Sequence, residues 1–486
     1  MNAHRTPCCR RRLIGSTLAT CMVFQLACQS AERSPPPSPP PQPADSVTSS
    51  ANVGLAAIRA RGKLRLLTRS NGTSYFVWHG RTMGFDYELA SRFAKWLQVG
   101  LDVVVPTSWG DLLPMLKAGQ GDLAAAGLTV TPEREKEVRF TKPYTLTHMR
   151  VVWGKGRQRI TSPEELSGKS VHVRMNSAYY RRLVELSGLL ESTGKRPIDI
   201  VLEGEDLETE ELLEEVATGR IPYTLCDIQI CNENRSYLPD LVIGPRVSDP
   251  QALAWAVHPQ ADDLAREVDR FFDEMKKSGE LDALYQRYYE SPRRRERARQ
   301  KPQTKRGSQL SPFDTQLKDA AARASVDWRL LAAIAFEESG FDPKNENWNG
   351  GTGLFGIMPN LARELGFEDM KNPTQAAQAA AQHLSQMGAQ FASVANEDDR
   401  LRLTIAAFSC GLGHITDARL LATSEKHDPD VWANVARALR LLSRGEYAAR
   451  AQHGYVRGSE IAAYVDRVWS QYRAYRHALG DRDGNR

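Results

Sequence analysis

Apolar runs of strand length alternate with helical patterns from Leu64 to about Pro292, and beyond Ser311 the strand signal does not return. One chain must therefore build two kinds of core, since a sheet calls for continuous or alternating apolar runs and a helix bundle calls for a period of 3.6. In the first region the runs lie at 64–67, 101–105, 149–153, 170–173 and 252–257, and Phe85, Leu89, Phe93, Trp96 and Leu97 recur at helical spacing between the first two. This alternation predicts an α/β domain with mostly parallel sheets, covered by helices on both faces. In the second region the pattern predicts helices over 328–338, 374–387, 400–408, 432–442 and 460–475, punctuated by Pro343, Pro359, Pro373 and Pro429. That half should be all-α. A length of 486 residues with 41% hydrophobic residues accommodates both cores.

The remaining segments cannot pack. Residues 34–43 read SPPPSPPPQP, a polyproline tether, and residues 293–299 read RRRERAR, a solvated basic linker. Ahead of the tether, Arg10, Arg11 and Arg12 precede an apolar stretch from Leu13 to Ala27, which is the layout of a secretory signal. The net charge of +5 is small for this length, so no nucleic-acid partner is expected. Four of the seven cysteines fall in the export region, leaving Cys226, Cys231 and Cys410 in folded chain. Neither a disulfide framework nor a paired metal spacing is expected; a single Cys226–Cys231 bridge in an oxidising periplasm is open but not the favoured reading. No cofactor or metal is called for, and His383 and His414 are lone histidines read as structural.

The chemistry in the helical half begins at AFEESGFDP, residues 335–343, where two adjacent carboxylates end an apolar run. Glu337 and Glu338 each lie seven residues beyond a leucine, Leu330 or Leu331, so spacing does not choose between them. Whichever one enters the apolar stripe loses hydration, which favours the neutral acid. Raising such a group by about two pH units is worth roughly 2.7 kcal/mol, as a general acid for glycosidic cleavage requires.

Glu338-Ser339-Gly340-Phe341-Asp342-Pro343, then Gly350, Gly353-Leu354, Ala406-Ala407-Phe408, Gly454-Tyr455 and Tyr464-Val465 follow the motif order of the lytic transglycosylases, and the region 313–475 resembles their lysozyme-like domain. The resemblance implies cleavage of the β-1,4 bond between N-acetylmuramic acid and N-acetylglucosamine in peptidoglycan without water. It makes Glu338 the acid that protonates the leaving oxygen and then accepts the muramoyl 6-hydroxyl proton, closing a 1,6-anhydro ring. It places Ser339, Phe355, Ser409 and Tyr464 around the glycan. The sequence departs from the family at Phe355-Gly356, where Met-Gln is usual, at Phe408-Ser409 for Tyr-Asn, and at Asn347 for Ser. The sequence Gly351 to Gly356 spells GxGxxG but follows a helix, so a dinucleotide site fails its context test. The loop from Asp342 is likewise read as turn chemistry rather than a calcium site.

In the first half, Gly84-Phe85-Asp86, residues 121–134 and Phe140 to Tyr144 resemble the amino-acid-type periplasmic solute-binding family over residues 60–290. Thr131-Pro132-Glu133 is a helix start, which leaves Arg134 near the helix N-terminus. The resemblance implies that Arg134, Thr129 and Ser177 hold a ligand carboxylate, that Asp227 takes its amine, and that Tyr75 or Phe76 stacks on it. The implied ligand is an amino acid or wall muropeptide. Gln25-Leu26-Ala27-Cys28 resembles the lipobox of bacterial lipoproteins, which makes Cys28 the lipid-bearing residue of a protein held on the periplasmic face of a Gram-negative outer membrane. A twin-arginine export route stays open as well.

The expected organisation is therefore signal 1–27, tether 28–55, solute-binding domain 56–291, basic linker 292–310 and transglycosylase domain 311–486. The alternative from another class is an envelope sensor that binds amino-acid-like ligands and glycan without cutting.

Overall fold

The computed structural model describes residues 53–78, 81–290 and 309–479. The expected signal, the site of lipidation at Cys28 and almost all of the tether and basic linker lie outside the described residues.

The first domain has two lobes, each built on a five-stranded sheet. In the first lobe the order is Gly100–Val104, Lys63–Leu67, Leu123–Ala124, Ala256–Val257, Arg139–Phe140. In the second it is Asp199–Glu203, Ser170–Arg174, Tyr223–Asp227, Met149–Gly154, Leu241–Arg246. The expectation of mostly parallel sheets is corrected here. In each sheet two pairings are parallel and two antiparallel. The cause is the double crossing between lobes. Strands joined within a lobe by a helix must run parallel, whereas Ala256–Val257 re-enters the first sheet from the other lobe and can run against its neighbours.

The apolar run at 252–257 divides for the same reason. Gln251–Leu253 pairs with Thr145–Thr147 in the two-stranded ribbon connecting the lobes, and the buried Trp255 between the pieces packs on Phe93 and Phe272. Helix Phe85–Trp96 buries Phe85, Leu89 and Phe93 on the first sheet, as its spacing dictates. Cys226 and Cys231 are disulfide-bonded, the less favoured of the two readings of the sequence. Strand Tyr223–Asp227 turns directly into helix Ile228–Asn234, which brings the two Cα atoms to 5.9 Å, a normal span for the bridge.

The second domain is all-α among the described residues, apart from isolated bridges of Thr352 to Glu346 and Ile357. The five expected helices appear as Trp328–Ser339, Pro373–Ala389, Glu397–Cys410, Trp432–Leu441 and Gly458–Leu479. Helices Asp314–Ala324, Pro359–Glu364, Leu412–Ser424 and Gly445–Ala448 are additional to those five.

The two domains share one apolar core. Trp348 of the helical domain packs between Phe76 and Tyr288 of the first lobe, with ring centroids 6.2 and 6.0 Å away. Ion pairs tie the second lobe to the helices. Arg444 reaches Glu211 at 3.4 Å and Glu215 at 3.0 Å, and buried Arg457 pairs with Glu233 and, within its own domain, with Glu460 at 2.8 Å. No helix among the described residues is long and apolar enough to cross a membrane.

Candidate active site

Helix Trp328–Ser339 starts on Asp327, whose carboxylate accepts from Arg329 N, and ends at Gly340 in the left-handed region. Between the caps Leu330, Leu331, Ile334 and Ala335 are fully buried, so the helix runs through the domain interior and its last turn delivers Glu337 and Glu338 to a cleft. The cleft measures about 1130 Å³ counted to its open mouth.

Geometry separates the two acids that spacing could not. Glu337 Oε1 accepts from Arg467 Nε at 2.6 Å, a charge-assisted bond that a proton on the carboxylate would weaken. Glu338 is half-buried and meets neutral donors. Asn347 Nδ2 donates to its Oε2 at 3.0 Å, and the buried Tyr464 phenol lies close enough to feel its charge. Burial first, and then the charge of Glu338, hold the Tyr464 phenol well above its ordinary range, so it stays protonated at any physiological pH. An amide and a phenol can serve a carboxyl group both with and without its proton. Glu338 is thus suited to give up a proton and take it back.

Phe355, Ser409 and Tyr464 line the cleft, together with His383 and Phe408. Ser339 does not: its buried hydroxyl donates to Ala335 O at 3.0 Å, so it caps the helix turn beneath the acid. Gly356, which occupies the position where the family usually carries Gln, has φ +59, and a Cβ there would lie 2.1 Å from Asn347 Nδ2 and 2.8 Å from Glu338 Oε2. The absence of a side chain at this position is what admits the Asn347–Glu338 hydrogen bond. Burial pushes His383 down to about 4, so it is neutral, with its ring against Phe408. His414 is likewise pushed down to about 4, by burial and then by His453.

Sequence reasoning misses the other wall. Trp78, Ser236 and Tyr237 of the first domain line the same cleft, and nothing local in the sequence marks them for it. Arg467 is missed too, since it lies 130 residues beyond its partner.

A second cavity, about 620 Å³ to its mouth, lies between the lobes of the first domain. It is lined by Thr129, Arg134, Ser177 and Asp227, and by Arg174 and Glu210. Thr131 caps the helix start by accepting from Arg134 N, while Arg134 Nη1 donates to Thr129 O at 2.9 Å. Ser177 Oγ is engaged as the cap of helix Ala178–Ser192. Tyr75 and Phe76 do not line this cavity. Tyr75 packs edge-on against Tyr87, and Phe76 faces Trp348 in the interdomain core. The aromatic walls are Trp109, Tyr179 and Tyr289 instead. Glu208 of the second lobe closes the cavity, taking Arg69 Nε at 2.8 Å, Asn71 Nδ2 at 3.0 Å and Trp109 Nε1 at 3.1 Å from the first.

Residues 50–291 match the family of bacterial extracellular solute-binding proteins, family 3, and residues 316–431 match the transglycosylase SLT domain. The chain is 34% identical over 418 residues to the membrane-bound lytic murein transglycosylase F of Desulfosudis oleivorans, covering 85% of this chain and 90% of that protein. It is 33% identical over 425 residues to the protein of the same name from Saccharophagus degradans, covering 87% and 83%. Among solved structures, an ancestral amino acid-binding protein described as a precursor of cyclohexadienyl dehydratase is 26% identical with a TM-score of 0.43, covering 49% of this chain and 99% of that one. With a two-lobed solute-binding domain placed before an all-α domain whose cleft holds one glutamate between an amide and a phenol, the chain belongs to the membrane-bound lytic murein transglycosylase F family.

Proposed function

We propose that this protein is a peptidoglycan lyase that cuts the β-1,4 bond between N-acetylmuramic acid and N-acetylglucosamine and leaves a 1,6-anhydromuramoyl end. The observation that carries the reading is the setting of Glu338, hydrogen-bonded by Asn347 and flanked by the Tyr464 phenol at a helix end inside a cleft. In this mechanism Glu338 gives its proton to the glycosidic oxygen as the bond breaks. The muramoyl C1 gains positive charge, the 6-hydroxyl oxygen of the same sugar bonds to it, and the hydroxyl proton passes to Glu338. The carboxyl is thereby restored, and no water is consumed. One carboxylate suffices because the nucleophile is carried by the substrate, unlike the paired carboxylates of hydrolases. Asn347 and Tyr464 orient the acid, Phe355 and Ser409 touch the glycan, and Ser339 acts indirectly by fixing the helix turn.

The site of action is the periplasmic face of the outer membrane, with the lipid at Cys28 and the polyproline tether giving reach to the wall. Residues 56–291 form the sensing domain and 311–486 the cutting domain. The interlobe cavity takes an amino-acid-like ligand, its carboxylate on Arg134 and its amine on Asp227. Ligand binding regulates cutting, a reading supported by Trp78 and Tyr237 of the sensing domain in the wall of the glycan cleft. The test is incubation of purified sacculi with the mature protein and with Glu338→Gln. Anhydromuropeptides from the first alone are expected. Equal release by both, or release by neither, would refute the assignment.

A further inference from the structure

The interlobe cavity holds more charge than one amino-acid head can use. Arg134, Arg174, Glu210 and Asp227 all line it. Arg174, Glu210 and Asp227 are 6, 8 and 4% exposed. Among the described residues none of the four has an ion-pair partner, and polar atoms remain unmet at Arg174 Nε, Glu210 Oε1 and Asp227 Oδ1. Their existing bonds only aim them. Arg174 Nη1 donates to Leu207 O at 3.1 Å, with the guanidinium 4.2 Å from the ring centre of Trp109, and Asp227 Oδ2 accepts from the Tyr179 hydroxyl at 3.0 Å. Glu208 is different, because its carboxylate is fully used in closing the lobes.

Burying a charge without a counter-charge is strongly unfavourable. Here two groups of each sign face one cavity without forming an ion pair among themselves; Arg174 and Glu210 feel each other's charge, and Glu210 that of Arg457, but burial outweighs both. Burial pushes Glu210 up to about 7 and Asp227 up to about 6, and burial together with Arg174 brings Arg134 down to about 10. All four therefore favour a ligand that supplies the opposite charges. Arg134 and Asp227 serve a single α-amino-acid head, the reading given above. Arg174 and Glu210 are a second couple of the same kind, left over.

We infer that the cavity takes a ligand with two zwitterionic heads, a free diamino dicarboxylic acid, whose second head is held by Arg174 and Glu210. This inference rests on the proposed amino-acid-binding role of the cavity and names its ligand class. A diamino acid inside a peptide has one amine and one carboxylate tied up in amide bonds. It leaves the second couple unmet.

The experiment is calorimetric titration of the full mature chain with four probes: 2,6-diaminopimelate, 2-aminopimelate, which lacks the second amine, norleucine, which lacks the second head, and a tripeptide carrying diaminopimelate at its centre. Free diaminopimelate should bind at least about tenfold more tightly than each of the others, the scale of a charge-assisted hydrogen bond. Glu210→Gln should erase its advantage over 2-aminopimelate, and Arg174→Met should erase the advantage of 2-aminopimelate over norleucine. The comparison among ligands on the unaltered protein needs no variant, so misfolding cannot mask the answer. Norleucine binding as tightly as diaminopimelate overturns the second head and leaves the single-head reading intact. Tripeptide binding as tight as the free acid overturns the assignment to a free ligand. No binding of any probe overturns both readings.

Discussion

Gly356→Ala is the substitution that most sharply tests how the acid is held. An added Cβ would stand 2.1 Å from Asn347 Nδ2, inside the 3.0 Å that real contacts respect, so the amide must retreat by about 0.9 Å. Asn347 Nδ2 lies at the flexible end of a side chain and will swing away, taking with it the 3.0 Å bond to Glu338. A hydrogen bond to a carboxylate is worth about 1.5–3 kcal/mol, so turnover should fall roughly 10- to 150-fold. The backbone adds a separate effect, because φ is +59 and alanine there loses about 1–2 kcal/mol of stability. Gly366 supplies the control, since its φ is +84 and a Cβ added there would meet nothing within 4 Å. Gly366→Ala should show the same loss of stability in a thermal melt and keep full activity. The assay is the rate of anhydromuropeptide release from sacculi. Unchanged turnover in Gly356→Ala, or an equal fall in Gly366→Ala, would refute the reasoning.

Further outcomes separate the neighbouring parts. Glu337→Gln should keep turnover within a few-fold while losing about 1–3 kcal/mol of stability, since its carboxylate serves Arg467 and not the sugar; a turnover loss as deep as that of Glu338→Gln would contradict the division of labour. Arg457→Ala takes the guanidinium away from Glu233 and Glu460 and should cost about 3–5 kcal/mol, read as a lower melting temperature of the intact chain. Burial raises Asp86 to about 7, Glu210 to about 7 and Asp227 to about 6, so these three groups hold more protons in the folded protein than in the unfolded chain above about pH 4. For carboxylates raised in this way stability is greatest on the acid side and declines as pH climbs from about 4 to 7, by at most about 1.4 kcal/mol per pH unit per group. Asp86→Asn should flatten part of that decline in melts taken between pH 5 and 8, and an unaltered slope would count against it.

Much of this is legible in the residues, and the failures have physical causes. Helix Trp328–Ser339 announces itself through Leu330, Leu331 and Ile334 and through its caps, because those signals are local. The choice between Glu337 and Glu338 is not local. It is made by Arg467 and Asn347, which the sequence cannot bring next to the helix end. Strand direction fails because the chain visits the second lobe and returns, and a run such as 252–257 carries no mark of where it will be cut. The resemblance implies a stacking role for Tyr75, yet Trp109, Tyr179 and Tyr289, spread over 180 residues, form the aromatic walls. The Cys226–Cys231 bridge depends on a turn between strand and helix that spacing does not reveal. The departure from the family's Gln at Gly356 carries no local mark of its consequence, which is to leave room for Asn347 beside the acid.

The central claim is that the bond is broken by a group within the sugar and by one carboxyl, with no solvent oxygen entering the product. Digestion of sacculi in water enriched in oxygen-18, followed by mass spectrometry of the muramoyl ends, measures this directly. The account predicts anhydromuramoyl ends free of the label and their disappearance in Glu338→Gln. Labelled reducing ends would contradict it.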